Sequence, residues 1–486
     1  RLQKSSRIPL LVGADFERGA SMRVNSTVPW PANMAFGAAR DAAAVREEGA
    51  ETAREARALG VNWVFAPDAD VNNNPDNPII NTRSYGEDPQ QVARLVQAYI
   101  EGAHSDRARP ILVTAKHFPG HGDTAEDSHM GLARLDATHE HIETVELVPF
   151  RAAIAAGVDA IMTAHMAVPA LEPQNIPATV SRAVLTGVLR NELGFHGLVV
   201  TDAMDMLGLS KMFDSGEASV RALEAGVDML LIPSNPEQAI AGVVAAVRSG
   251  RISRARLDES VARVLDAKIR LGLTRRRTVD VEAVGDTIDD PHVLDIAQRV
   301  ADEAVTLLKN EKLAVPLAAP ANSCLSVLTG GRYSQYGRQM MHDFRETAPG
   351  MKISVFDPST PAAELQRAAQ EDAPCAANIV AAFAGPSAYK GNVALPDDLA
   401  AFVNTLTKGT APVVMVALGN PYLLRSFPNV SAYLATFSTA TTSETAAVRA
   451  LLGRIPINGH TPVSIPGFAA IGDGIQLPAA VTAAPR

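Results

Sequence analysis

The sequence predicts an α/β protein, a (β/α)8 barrel of the TIM type followed by a second, open α/β domain. Three observations carry this expectation. Short apolar runs alternate with helical stretches along the first 275 residues, the signature of a parallel sheet wrapped by helices. Nearly every run ends in polar or ionisable residues: Asp15, Asp68 and Asp70, Lys116 and His117, His165, Asp202. A barrel collects its active site from the C-terminal ends of many strands, whereas an open sheet concentrates it at one switch point. Finally, 486 residues exceed what one core usually supports, so a second domain is expected.

In chain order, the strands of the first domain are expected at Pro9–Ala14, Val61–Pro67, Ile111–Ala115, Asp159–Ala164, Gly197–Thr201 and Asp228–Pro233. Six are readable, and the barrel's first strand is expected upstream of Arg1. Asp41–Leu59 has helical period and closes on Gly60 at a C′ position. Asp88-Pro89 opens another helix, as an N-cap followed by Pro at N1. An Arg run and an acidic, weakly periodic stretch make residues 276–289 a linker.

The second domain is expected over residues 290–486. Its first helix should run from Asp290-Pro291 to about Asn310, with Val293, Ile296, Ala297, Val300, Ala304 and Leu308 on one stripe. Strands follow at Cys324–Leu328, Lys352–Phe356, Asn378–Phe383, Pro412–Leu418 and Ser431–Thr436. Helices are expected near Ala362–Gln370, Asp397–Thr407 and Glu444–Leu452. Gly330-Gly331 reads as a turn, not a nucleotide loop. Cys324 and Cys375, the only cysteines, read as two buried free thiols.

A net charge of −9 argues against nucleic acid, which demands a basic face. No apolar run is long enough to span a bilayer.

The chemistry concentrates in two segments. Lys116-His117-Phe118-Pro119-Gly120-His121-Gly122-Asp123-Thr124-Ala125-Glu126-Asp127-Ser128-His129 follows an apolar run and, with Pro and two Gly, reads as a loop. Three His and three acids in fourteen residues are not a solvated face. They admit two readings. His117, His121 and Asp123 could ligate the metal of a barrel metallohydrolase. Alternatively, Asp127 and His129 pair, the carboxylate fixing the imidazole's tautomer. Metal barrels usually draw His ligands from several strands, and only His165 lies at another strand end, which favours the pair. The second segment is the apolar run Gly197–Thr201 ending in Asp202, whose carboxylate would sit on the catalytic face and could attack an anomeric carbon. Asp205 reads instead as a carboxylate near a helix start.

These two segments together, KHFPGHGDTAEDSH and then VVTDAMDM, resemble the β-N-acetylglucosaminidases of glycoside hydrolase family 3, of the NagZ type. The resemblance spans the chain and is strongest between residues 9 and 235. It implies a retaining enzyme that removes terminal β-linked N-acetylglucosamine from small bacterial glycans, muropeptides or chitin fragments, with no cofactor and no metal. Position by position, it makes Asp202 the nucleophile, His129 the general acid/base and Asp127 its orienting partner. Lys116, His117, Asp15, Arg23 and Arg83 match the residues that hold the sugar. The family's Asp-Gln-Glu-Gly-Gly pattern departs here to Asp15-Phe16-Glu17-Arg18-Gly19. An imidazole carries no negative charge when neutral and would repel an anionic acceptor less than a carboxylate, so a phosphorylase is the alternative.

Overall fold

The computed structural model describes residues 2–288 and 290–480, and it has the expected two-part α/β architecture. Five parallel strands form the curled wall of the barrel. They are β1 (Gly13–Ala14), β2 (Trp63–Val64), β3 (Leu112–Phe118), β5 (Ala160–Thr163) and β7 (Leu198–Thr201), paired in that order. A small parallel pair, β4 (Ala133–Arg134) and β6 (Met166–Ala167), lies apart. The apolar run Asp228–Pro233 contributes one parallel bridge, Val200 to Met229, and no strand.

Two strands are shorter than their apolar runs, for a backbone reason. Before β1, Leu10 N and Val12 N are bonded to side chains, Gln3 Oε1 and Asn62 Oδ1, and after β2, Pro67 lacks the N–H a ladder needs. The ladder around β2 continues irregularly, through Phe65 N to Ala14 O (2.9 Å) and Ala69 N to Lys116 O (2.6 Å). In the other direction β3 is longer than expected. All seven of its residues are buried, and Lys116 and His117 belong to the strand, not to the loop after it.

The helices that wrap this sheet follow their caps. Asp41 accepts from Ala43 N and Ala44 N to open Ala42–Leu59, which Gly60 closes at φ 83°. Asp88 does the same for Pro89–Ala103. The two helices touch backbone to backbone, since a Cβ at Gly49 would stand 2.3 Å from Tyr99 O and one at Gly102 2.0 Å from Arg46 O.

The second sheet is built from β8 (Thr306–Asn310), β9 (Cys324–Leu328), β10 (Lys352–Phe356), β11 (Asn378–Ala384), β12 (Val413–Gly419) and β13 (Ala432–Ala435), in the order β10-β9-β11-β12-β13-β8. All pairings are parallel except β13 with β8. Here the sequence reading needs correction. The helix that begins at Pro291 ends at Ala304, not near Asn310, and Thr306–Asn310 becomes the antiparallel edge strand. The apolar stripe ran on through Leu308, but β-branched Val305 and Thr306 favour the strand that β13 pairs with. An unanticipated helix, Arg338–Thr347, buries Met340 and Phe344 one turn apart.

The cysteines also need correction. Cys324 and Cys375 are joined in a disulfide, not held as free thiols. Parallel pairing of β9 with β11 sets Cys324 opposite Asn378, three residues past Cys375, with the two Cα atoms 5.8 Å apart. That separation lies within disulfide range, and sequence spacing alone does not reveal it.

The domains share the helix Pro291–Ala304. Its Ala297 and Val300 pack in the barrel's core, and Ala301 in that of the second sheet. None of the described helices is long and apolar enough to cross a membrane.

Candidate active site

The floor of the site is an ion network at the C-terminal ends of β1, β2 and β3. Lys116, buried on β3, donates from Nζ to Asp15 Oδ1 (3.1 Å) and lies 2.6 Å from Glu17 Oε1. Arg83 forks onto Glu17, Nε to Oε2 at 2.9 Å and Nη2 to Oε1 at 2.8 Å. Arg23 reaches Asp15 Oδ2 at 3.2 Å. Burial works against the charge on Lys116, but Glu17, Asp15 and Asp68 outweigh it and raise its pKa. Burial likewise pushes the Glu17 carboxyl up, and Arg83 and Lys116 more than reverse that, holding it well below the usual range. Asp68 goes the other way. Burial and the neighbouring Glu17 raise its pKa well above the carboxylate range, and neither of its oxygens has a hydrogen-bond partner among the described residues.

His117 is oriented by Asp70, whose Oδ2 lies 2.8 Å from Nδ1. Assigned from this network, Nδ1–H donates to Asp70, which leaves Nε2 to accept from Arg83 Nη2 at 3.2 Å. The other Asp70 oxygen accepts from His121 N at 2.7 Å. One carboxylate therefore fixes both the ring at the strand's end and the entry of the loop that follows.

That loop carries the dyad. Asp127 Oδ1 accepts from His129 N (2.9 Å) and lies 2.8 Å from His129 Nδ1, while Oδ2 accepts from Tyr389 N (3.0 Å). Burial raises the pKa of Asp127, yet the bonds from His129 and Tyr389 prevail and lower it, so it is held as a carboxylate. With Nδ1–H directed at Asp127, the His129 Nε2 is left to exchange protons. The rest of the loop supports itself. His121 spans Thr124 Oγ1 (2.8 Å, at Nδ1) and Ser128 Oγ (3.0 Å, at Nε2), and burial depresses its pKa to about 4. Asp123 turns away to His141 Nε2 at 3.6 Å. His117, His121 and Asp123 thus face different partners and do not form the common ligand set that a metallohydrolase would need.

Asp202 follows β7 and enters the same cavity, its Oδ1 accepting from Ala203 N at 2.8 Å. Burial would raise its pKa. His117, His165, the Ala203 N–H and Lys116 outweigh burial, so Asp202 is held below the usual value as a ready carboxylate. His165 supports this segment from behind, bonded to Thr179 Oγ1 (2.8 Å) and Ala203 O (2.9 Å). Asp205 is exposed and lies outside the cavity lining.

The cavity measures about 680 Å³. Its lining includes Asp15, Arg23, Arg83, Lys116, His117, His129 and Asp202, so these sequence-predicted residues converge; Asp127 stands behind His129. Two contributors were missed. Glu17, the hub of the network, was legible in principle, because residues two apart beyond a strand face the same way and Asp15 was already singled out. Tyr389 was not legible, since it comes from the other domain.

A barrel whose strand ends present an ionised carboxylate and an Asp-oriented imidazole around one cavity has the form of a glycoside hydrolase. Comparison with known proteins agrees. Residues 1–267 match the glycosyl hydrolase family 3 N terminal domain and residues 305–479 its C-terminal domain. A beta-N-acetylglucosaminidase/beta-glucosidase of Cellulomonas fimi is 31% identical over 486 residues, covering 95% of this chain and 85% of that one. A solved family 3 beta-N-acetylglucosaminidase from Paenibacillus sp. is 33% identical with a TM-score of 0.83, over 94% of this chain and 87% of that one. A beta-glucoside phosphorylase structure superposes at 0.84 with 27% identity, over 95% of this chain and 85% of that one. The chain belongs to glycosyl hydrolase family 3, and it is a glycoside hydrolase.

Proposed function

We propose that this enzyme is a retaining β-N-acetylglucosaminidase that removes terminal β-linked N-acetylglucosamine from small glycans such as muropeptides or chitin fragments. The observation that carries the reading is the Asp127–His129 pair at 2.8 Å, held over the cavity that Asp202 enters. In the first step Asp202 attacks the anomeric carbon as His129 Nε2 gives its proton to the leaving oxygen. In the second, the same nitrogen takes a proton from water, which attacks the anomeric carbon and releases Asp202. Asp127 keeps Nδ1 protonated throughout and stabilises the imidazolium. Asp15, Arg23, Lys116, His117 and Arg83 make the glycone subsite, the last chiefly by fixing Glu17 and His117. The similarity to beta-N-acetylglucosaminidases supports the sugar assignment. The same proposal places the domains at 1–275 and 290–486, joined by 276–289; the family matches over 1–267 and 305–479 support a two-domain division.

The test is turnover of an aryl β-N-acetylglucosaminide against an aryl β-glucoside, each with and without phosphate. Faster hydrolysis of the former, indifferent to phosphate, is expected. Preferred cleavage of the glucoside, or a sugar 1-phosphate product, would replace the reading with the phosphorylase one, which the imidazole acid/base also accommodates. Asp202→Ala should abolish turnover, and a 2-fluoro glycoside should label Asp202; a label on Asp205 would move the nucleophile.

A further inference from the structure

The acid/base pair carries one contact that the barrel does not supply. Asp127 spends Oδ1 on its own loop, at His129 N and Nδ1, and Oδ2 on the backbone N–H of Tyr389 from the second domain. The Asp127 side chain is only 1% exposed, so in the folded protein this N–H stands where water would otherwise bond. An anionic oxygen left unpaired at such a site is costly.

The loop after β11 is shaped to deliver this contact. Tyr389 has φ 65°, a left-handed conformation that non-glycine residues seldom adopt. Its ring meets the His129 ring edge to face, centroids 5.1 Å apart. Gly391, at φ 71°, lies so close to the dyad loop that a Cβ there would be 3.1 Å from Met130 Sδ. The second domain thus touches the dyad loop at the carboxylate, at the imidazole and one residue beyond.

We propose that Tyr389 is a positioning residue for acid/base catalysis, its N–H fixing the plane of the Asp127 carboxylate and through it the His129 ring. The inference rests on reading Asp127 and His129 as the acid/base. Bonded through one oxygen only, the carboxylate could rotate and carry Nδ1–H with it; bonded through both, it holds Nε2 aimed at the leaving oxygen. The second domain then completes the acid of a site whose nucleophile the barrel supplies alone.

The consequence is selective. A poor leaving group needs the proton, and an activated aryl one hardly does. In Tyr389→Pro, which lacks the N–H and, with φ locked at about −65°, also gives up the left-handed turn, kcat/KM for a β-linked N-acetylglucosamine disaccharide should fall about ten- to a hundredfold. For the 2,4-dinitrophenyl glycoside it should change by less than about threefold. Replacing Tyr389 by its α-hydroxy acid analogue exchanges the N–H for an ester oxygen while keeping the ring, the left-handed φ and the cavity lining, and it should show the same split. Tyr389→Gly keeps the N–H and permits the left-handed φ, so its loss on the disaccharide should be smaller and report the ring alone. In an Asp127→Asn background Tyr389→Pro should cost nothing further. Parallel losses on both substrates, no loss on either, or an undiminished cost in that background would each overturn the proposal. If Asp127→Asn itself spares the disaccharide, the acid/base reading fails; if only the Tyr389 variants do, the reading stands and this inference falls.

Discussion

At the scale of single residues, the site depends on buried charges that have been paired or neutralised. Glu17 shows the paired case. Its carboxylate is shared by Lys116 and Arg83, and removing one partner of a buried pair leaves uncompensated charge, which typically costs about 3–5 kcal/mol. Glu17→Gln should therefore lower the unfolding free energy by that order and raise KM, read by chemical denaturation and initial rates. Glu146 shows the other case. It is fully buried beneath Gly120, and burial outweighs His141 to raise its pKa to about 7. An unfolded glutamate titrates near 4.5. Below that both states hold the proton; between 4.5 and 7 the unfolded chain ionises first and stability falls; above 7 the loss is complete, at most about 3 kcal/mol. Glu146→Gln should flatten this decline between pH 5 and 8; an identical slope in both proteins would count against it. The nucleophile and dyad were legible in the sequence because their motif is long and lies in one stretch. Glu17 was legible only as a position two residues after Asp15, and its role as hub was not, because that is set by Arg83, sixty-six residues away, and by Lys116.

At the scale of elements, caps and loop chemistry were readable and pairing partners were not. Asp41, Gly60 and Asp88 act locally, within a turn of their own helices, and the helices begin and end where those residues require. The stretch Thr306–Asn310 continues a helical stripe and yet is a strand, because β13, far along the chain at Ala432–Ala435, offers it an edge. The disulfide belongs to the same class, being a product of sheet register. It closes a loop spanning 51 residues, and a chain-entropy treatment gives such a link about 4 kcal/mol. Cys375→Ser should lower the unfolding free energy by about 2–4 kcal/mol while leaving turnover of the aryl substrate intact. A variant as stable as the parent would mean that the bridge does not constrain the unfolded chain.

At the scale of the whole molecule, the two domains are joined by polar contacts between their side chains and backbones. Asn72 Nδ2 donates to Tyr422 Oη at 2.9 Å, Arg425 meets Asp76 at 2.7 Å, and Glu87 accepts from Ser464 N at 2.6 Å. Glu87→Ala should lower the unfolding midpoint by the equivalent of about 1–3 kcal/mol, measured by calorimetry; no change would mean that the seam draws its stability elsewhere. A different joint operates inside the barrel. Leu207 N reaches His129 O at 3.4 Å and Gly208 N reaches Ser128 O at 3.1 Å, so the segment after Asp202 is stitched to the loop of the dyad main chain to main chain, with Lys211 Nζ adding a bond to Met130 O at 3.0 Å. A Cβ at Gly208 would stand 2.9 Å from the carbonyl oxygens of Ser128, Gly131 and His165 at once. The joint works as a gauge block. The gap between the two reacting groups is machined into the backbone, at a point where no side chain can be slipped in as a shim.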